Sequence, residues 1–564
     1  MKAAATLFFL LGALSVLFFS LPEPRVEAYL SPLTDASFSP PASGPALASH
    51  REVLSRPVPP GTVLLATVTL SGGADTVAFL DNGGTALSKK RGIELLAPSS
   101  GARTPGAQTW KNTFVVPPGP GPLAFTVAWK GVPAEIDHIT LASVSPRYFH
   151  LQGGLHAARL LSLLGALASG LVFLRRRLAP DRFAVLAGRR LLPLGLVAVV
   201  AFGLLLRWDG DRGPHGERYG FTSLCNMGSG FLAQATPAAR AVDFKVVSFL
   251  GYDGDQYVQL ALDPLLLDRP ALARALDVPT YRAKRILLPA AAWLAGLGHA
   301  PWVVQAYCLL NGAFWLLLLF VLRRAFPAPT LEEGAAMVAI LLSVGALESL
   351  RRALTDLPAT ALLALALHLA ERGKPSPLLF SAALLTRESA LLSLPLLLRR
   401  KGFSRSFLLS LGIGLLAVGG WFAYVTLRFP GQGGGTAHNF SWPLLALGER
   451  LALVFRGEGW GDPANRATFL ALCGLFVQAA FLLRHPRPAS AAWRTGILYV
   501  PLFLCLGRPV LEEYPAAARA LLPLTLAFHW ELARTRRGAA FWAWALPANL
   551  ALWDGLSKYL FPVG

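Results

Sequence analysis

The stretch Gly251-Tyr252-Asp253-Gly254-Asp255-Gln256-Tyr257 gathers two carboxylates, two phenols and an amide, and Tyr281-Arg282-Ala283-Lys284-Arg285 follows it with three cations. Asp253 and Asp255 suit general-base work on an acceptor hydroxyl, or a divalent cation such as Mg or Mn held through oxygen ligands. Lys284 and Arg285 suit a phosphate, arginine gripping it as a planar fork. Tyr252, Gln256 and Tyr257 add hydrogen-bonding groups beside them. The plain alternative is that Asp253-Gly254 only makes a turn, which this dipeptide favours.

Other ionisable groups interrupt apolar sequence. Asp356 opens an apolar run, where it is either a site carboxylate or a helix cap. Arg387 and Glu388 break a second run; charges at such depth face a cavity or a partner, unless the two neutralise each other. Arg508, Glu512, Glu513, Tyr514 and Arg519 form a short loop before another run, readable as site or as solvated loop. Residues 428–465 add Gly431-Gln432-Gly433-Gly434-Gly435, His438, Trp442, Trp460 and Asp462. The glycines lack the GK[ST] of a phosphate loop. His438 is a candidate acid or base, and the tryptophans either stack on a sugar or anchor at a bilayer surface.

These residues need elements to hold them, and composition names the medium. Of 564 residues 54% are hydrophobic and 15% charged, well below the charge of a soluble chain. The apolar residues come in runs of membrane-crossing length. The net charge of +20 lies in clusters at the ends of those runs, such as Arg175-Arg176-Arg177, Arg323-Arg324, Arg399-Arg400-Lys401 and Arg534 to Arg537. That is the positive-inside pattern of a polytopic protein, and it excludes a nucleic-acid partner. Four cysteines, Cys225, Cys308, Cys473 and Cys505, are widely spaced without a CxxC pair, which speaks against a disulfide framework or a zinc site.

The expected organisation follows. Residues 1–28 are a signal peptide or signal anchor, and 29–60 a Pro/Ser/Ala-rich linker. Short β-type runs separated by Gly, Pro, Asn and Asp predict a small exported β-sandwich over 61–148. Two membrane helices fill 157–206, an outer loop 207–300, and further spans 301–564. They lie near 302–322, 333–348, 356–371, 376–398 (two short helices), 406–427, 466–483, 494–507, 518–533 and 540–556. Residues 286–298 are too short to cross and should lie along the outer leaflet. The fold class is thus a polytopic all-α membrane protein of about 11–14 helices with an exported β domain. This topology, drawn from the basic clusters, puts all the candidate site residues on one face.

The order of these features resembles the GT-C superfamily of membrane glycosyltransferases. The matching parts are Tyr252-Asp253-Gly254-x-x-Tyr257 on an outer loop, a basic juxtamembrane segment ending in Pro289, Arg351-x-x-x-Thr355-Asp356-x-Pro358 at a helix start, and Leu384-Leu385-Thr386-Arg387-Glu388 at a helix break. It looks most like proteins of bacterial cell-surface glycopolymer formation, and more distantly like glycolipid-anchor mannosyltransferases and aminoarabinose transferases. The resemblance covers roughly 190–530. It implies a polyprenyl-phosphate sugar donor, a glycan or lipid acceptor, and a site facing outward from the cytoplasmic membrane. It also implies Asp253 as base or acceptor-positioning group, Asp356 as the second acid, and Arg285 and Arg387 near the donor phosphate. Asp255 departs from the usual neutral residue, so either motif carboxylate can take the role. The competing classes are a flippase for lipid-linked saccharides, which would show internal repeats and charges deep in several spans, and a non-catalytic assembly protein working through its β domain.

Overall fold

The computed structural model describes eight strands between residues 30 and 144, and residues 190–210, 219–246, 251–327, 330–398, 404–431, 439–455, 463–512 and 514–560. The leader 1–28, the span expected at 157–174, and His438, Trp460 and Asp462 lie outside the described residues.

The strands make two four-stranded antiparallel sheets, ordered β1-β8-β3-β6 and β2-β7-β4-β5. Here β1 is Leu30–Ala36, β2 Ala48–Val53, β3 Val63–Ser71, β4 Thr76–Asn82, β5 Thr85–Ala86, β6 Ala107–Val115, β7 Leu123–Trp129 and β8 Glu135–Val144. β1 and β2 occupy the segment that composition marks as linker, so that expectation is corrected. Both are edge strands, and β1 carries Pro32 at a register shift. Proline belongs at edges and bulges because it cannot donate to a ladder, and this is what disguises the strand in the sequence.

The rest is helical. Four helices among the described residues are long and apolar enough to cross a membrane: Ala300–Ala325, Leu331–Arg351, Arg405–Arg428 and Asn465–Arg484. Shorter apolar helices stand where other spans were expected, at Leu192–Trp208, Pro377–Thr386, Glu388–Leu397 and Ala491–Leu504. Among the described residues, the expected spans are thus four long helices accompanied by shorter or broken ones. One break is caused locally. Thr386 ends its helix because Arg387 is extended, at φ −157° and ψ 123°. Ser376 starts the same helix by accepting a hydrogen bond from the Leu379 N–H, with Pro377 at the first position, where its missing N–H leaves no bond unmade.

The helix Asp356–Glu371 is the axis of the bundle. It packs against Ala300–Ala325, Pro377–Thr386 and Leu522–Thr535, and most of its residues are buried. Its two ends differ. At the C-terminal end Glu371 pairs with Arg534, and nearby Glu333 pairs with Arg537, which gathers the basic cluster of 534–537 there. At the N-terminal end, about 24 Å away for sixteen residues at 1.5 Å each, sits Asp356.

Candidate functional site

The turn before Asp356 is built to project it. Ala353 adopts a left-handed conformation at φ 47°, and the Tyr307 hydroxyl donates to its carbonyl at 2.7 Å. The Ser349 hydroxyl donates to the Leu354 carbonyl at 3.1 Å and accepts from the Leu357 N–H at 3.0 Å. The residue before the helix, Thr355, makes no side-chain cap. The Asp356 carboxylate does not cap either; both its oxygens turn to arginines. Oδ1 lies 2.7 Å from Arg387 Nη1, and Oδ2 lies 3.4 Å from Arg519 Nη1.

Arg519 also reaches the motif loop. The same Nη1 is 3.4 Å from Asp253 Oδ2, and Nη2 donates to the Tyr252 hydroxyl at 3.1 Å. Asp253 is the first residue of the helix Asp253–Leu262, and its other oxygen is 3.0 Å from Arg282 Nη2. The turn alternative therefore gives way to a helix start. Arg352 stacks on the Tyr252 ring, 3.7 Å from its centre, and pairs with buried Glu348 at 2.8 Å. A chain of contacts thus runs Arg282–Asp253–Arg519–Asp356–Arg387, bringing together three separate parts of the sequence.

Gly254 makes this convergence sterically possible. A Cβ there would stand 2.4 Å from the Arg352 carbonyl oxygen and 2.7 Å from that of Cys225, both backbone atoms. Gly254→Ala should therefore cost about 1–3 kcal/mol of stability. The check is the thermal midpoint of the detergent-solubilised protein, and an unchanged midpoint would contradict the close approach. Gly345 plays the same part on the other side, where a Cβ would lie 2.4 Å from the Ala518 carbonyl and push Arg519 away.

A second knot lies beside the first. Arg285 donates through Nε to Glu388 at 2.8 Å, and also to the hydroxyls of Tyr257 and Tyr281. Arg387 and Glu388 thus do not neutralise each other but reach different partners. Arg282 completes its own set with Asp277 at 2.7 Å. The sequence reading assigned Arg282 no role, although it lies three residues from Arg285, and residues at that spacing share a face of a helical turn. Lys284 points elsewhere, its Nζ 5.4 Å from the Phe422 ring centre, and so leaves the candidate set. Arg508 pairs with Glu512 and Tyr514 accepts from Lys558, whereas Arg519 joins the cluster; Glu513 lies outside the described residues.

The two motif carboxylates separate in environment. Burial raises the Asp253 carboxyl, but Arg282 and Arg519 outweigh it and hold the group well below the usual carboxylate range. Its side chain remains 30% exposed. Asp255 is 1% exposed, and burial pushes its carboxyl up to about 8 against the hydrogen bond from Gln256. Gln256 Nε2 donates to Asp255 at 2.8 Å, while its oxygen accepts from the Asp277 N–H at 2.9 Å. Asp253 is therefore the reachable anion, and Asp255 with Gln256 braces the loop.

A pH effect follows. The unfolded chain loses the Asp255 proton near pH ~4, whereas the folded protein keeps it up to about 8. Stability should fall as pH rises across that window and level off above it. Asp255→Asn should flatten the decline in thermal midpoint between pH 5 and pH 8. An equal decline in the variant would place the proton elsewhere.

A small pocket adjoins the chain of ion pairs, lined among others by Asp356, Thr360, Arg387, Ser389, Tyr499 and Arg519. The Nε atoms of Arg387 and Arg519 are buried without a hydrogen-bond partner, so donors for an anion are already in place there. A larger pocket lies behind Ala518, with Ser343, Gln478, Thr525 and Asn549 in its wall. No ionisable side chain lines it, whereas the smaller one is lined by Asp356, Arg387 and Arg519. Asp253 and Asp356 are each held by two guanidinium groups, and among the described residues no three His, Cys, Asp or Glu side chains gather as a metal site. In this arrangement both carboxylates have arginine partners.

No protein-family model matches this chain, and no curated protein matches it.

Proposed function

We propose that this chain is a membrane glycosyltransferase of the GT-C kind, moving a sugar from a polyprenyl-phosphate donor to a glycan or lipid acceptor at the outer face of the cytoplasmic membrane. The observation that carries the reading is the contact chain Arg282–Asp253–Arg519–Asp356–Arg387, with Arg285 and Glu388 beside it. A reachable carboxylate next to several guanidinium groups supplies the two things sugar transfer from a lipid phosphate needs: a base for the acceptor hydroxyl and fixed positive charge where the leaving phosphate gathers negative charge.

In this mechanism the donor phosphate enters the cavity and takes over Arg519 and Arg387. Asp253, relieved of Arg519, becomes a stronger base. It removes the acceptor proton as the hydroxyl oxygen attacks the anomeric carbon, and the lipid phosphate leaves with the bonding electron pair. One displacement inverts the anomeric centre. Tyr252 and Tyr257 orient Arg519 and Arg285 through their hydroxyls. The outward orientation is supported by the separation of the basic end of the bundle, at Arg534 and Arg537, from the Asp356 end. The two four-stranded sheets are proposed to form the exported sandwich that carries the acceptor or docks a partner.

The test is the envelope glycan of a deletion strain, analysed by mass spectrometry. A missing sugar, restored by the wild-type gene, is the expected result. Intact glycans would end the proposal. Accumulation of a complete lipid-linked saccharide on the inner leaflet would move the protein to the flippase class.

A further inference from the structure

We propose that the loop 263–268, which follows the helix bearing Asp253, is a rigid wedge whose Leu265 and Leu267 side chains enter the lipid at the Arg428 end of the helix Arg405–Arg428. Three adjacent leucines divide sharply there. Leu266 is fully buried, in the same apolar cluster as Val425 and Phe429. Leu265 and Leu267 are 59% and 69% exposed. Single exposed leucines are ordinary on a protein surface, but these two are held out by their backbone. Leu266 is left-handed at φ 57°, a conformation that a leucine keeps only where its surroundings over-determine it. Here they do. The Asp263 carboxylate accepts from the N–H groups of Leu267 at 2.9 Å and Asp268 at 2.8 Å. The Tyr424 hydroxyl donates to the Leu265 carbonyl at 2.6 Å. Arg428 donates through Nε and Nη2 to the carbonyls of Leu266 and Leu267, each at 2.8 Å. All three leucine carbonyls are thus satisfied by side chains, as backbone entering hydrocarbon requires.

The helix that clasps the loop names the occupant. Arg405–Arg428 is long and apolar enough to cross a bilayer, yet only 17% of its apolar stretch is buried within the protein, which leaves most of it to lipid. Its last turns carry Trp421, Tyr424 and Arg428, the aromatic and cationic residues that settle at a bilayer surface. The Trp421 and Tyr424 rings lie 5.3 Å apart. Because Tyr424 and Arg428 are the loop's own partners, Leu265 and Leu267 stand at that depth. Trp421 Nε1 donates to the Ala283 carbonyl at 2.9 Å, between Arg282 and Arg285. One helix end therefore sets the height of the wedge and of the guanidinium groups at the candidate site. The wedge does not depend on sugar transfer; it requires only that Arg405–Arg428 crosses the membrane.

The experiment uses full-length protein in phosphatidylethanolamine/phosphatidylglycerol nanodiscs, with Leu265→Cys or Leu267→Cys labelled by bimane. Protein without the added cysteine gives the background. Leu416→Cys, at an exposed position in the middle of the same helix, sets the lipid limit, and the bimane conjugate of free cysteine sets the water limit. Iodide should quench both loop positions several-fold less than the free conjugate, and lipid carrying a doxyl group near its headgroup should quench them clearly. Tyr424→Phe with Arg428→Gln removes the side-chain contacts to the three carbonyls and should return iodide quenching toward the water limit. Iodide quenching as strong as for the free conjugate in the unmodified clasp would put the leucines in water. Quenching by neither agent would mean that a second copy or another protein covers them. Either result overturns the wedge, and an unchanged signal in the double variant would overturn the clasp.

Discussion

Asp253→Asn should lower sugar transfer by about 10²–10⁴-fold, the range a positioned general base contributes, while the protein still accumulates in the membrane. The substitution keeps the shape and removes the charge. It leaves each arginine a second carboxylate: Arg282 retains Asp277, and Arg519 retains Asp356. With its side chain 30% exposed, Asp253 also adds little to packing. Loss of product and loss of protein should therefore come apart. Incorporation of labelled sugar into envelope glycan, measured against membrane-extracted protein by immunoblot, checks this. Undiminished transfer would remove Asp253 from the chemistry and favour the assembly-protein class. Asp255→Asn should behave oppositely, changing the pH dependence of stability more than the rate.

Arg519→Met should be the most destabilising single change at the site, at roughly 3–5 kcal/mol, because it strands a buried charge. Asp356 is 1% exposed on its side chain and would keep only Arg387. Asp253 would lose a partner, and so would the Tyr252 hydroxyl. Replacing both members, Arg519→Met with Asp356→Leu, should recover only part of that stability without restoring transfer, since it relieves the carboxylate but takes the acid partner from Arg387. Thermal unfolding of the purified variants measures the first effect, and the double-variant cycle separates lost pairing from lost packing. A single variant as stable as the wild type would mean that the Asp356–Arg519 contact is not formed in the membrane.

The residues of this site were more legible than their pairings. Asp356 and Arg387 stand out because charges in apolar sequence have few uses, and the extended backbone at Arg387 is what a charged pair in an apolar run foretells. Which charge meets which was not legible. Asp253 and Arg519 are 266 positions apart, and sequence spacing carries no information at that range. Local pairing of Arg387 with Glu388 was one of two alternatives, and the closest ion pairs instead join Arg387 to Asp356 and Glu388 to Arg285. Lys284 and Arg282 were separable only by helical phase, and the role of Gly254 only by knowing which carbonyls approach it. Among the helices, apolar length marked each element well, yet it did not reveal that Leu342 and Ser343 interrupt one run between Leu331–Leu341 and Val344–Arg351. Ser343 caps the second piece there, accepting from the Ala346 N–H. In the strand region, Pro32 and the register shift beside it hid an edge strand.

Arg519 serves two acids at once and is the most loosely held joint of the set, at 3.4 Å to each against 2.7 Å and 3.0 Å for the outer pairs. A single newcomer that offers this guanidinium a better-shaped anion would release both aspartates together. The loop that carries one and the helix that carries the other would then feel the same arrival, so occupancy of the pocket and readiness of the base become a single event.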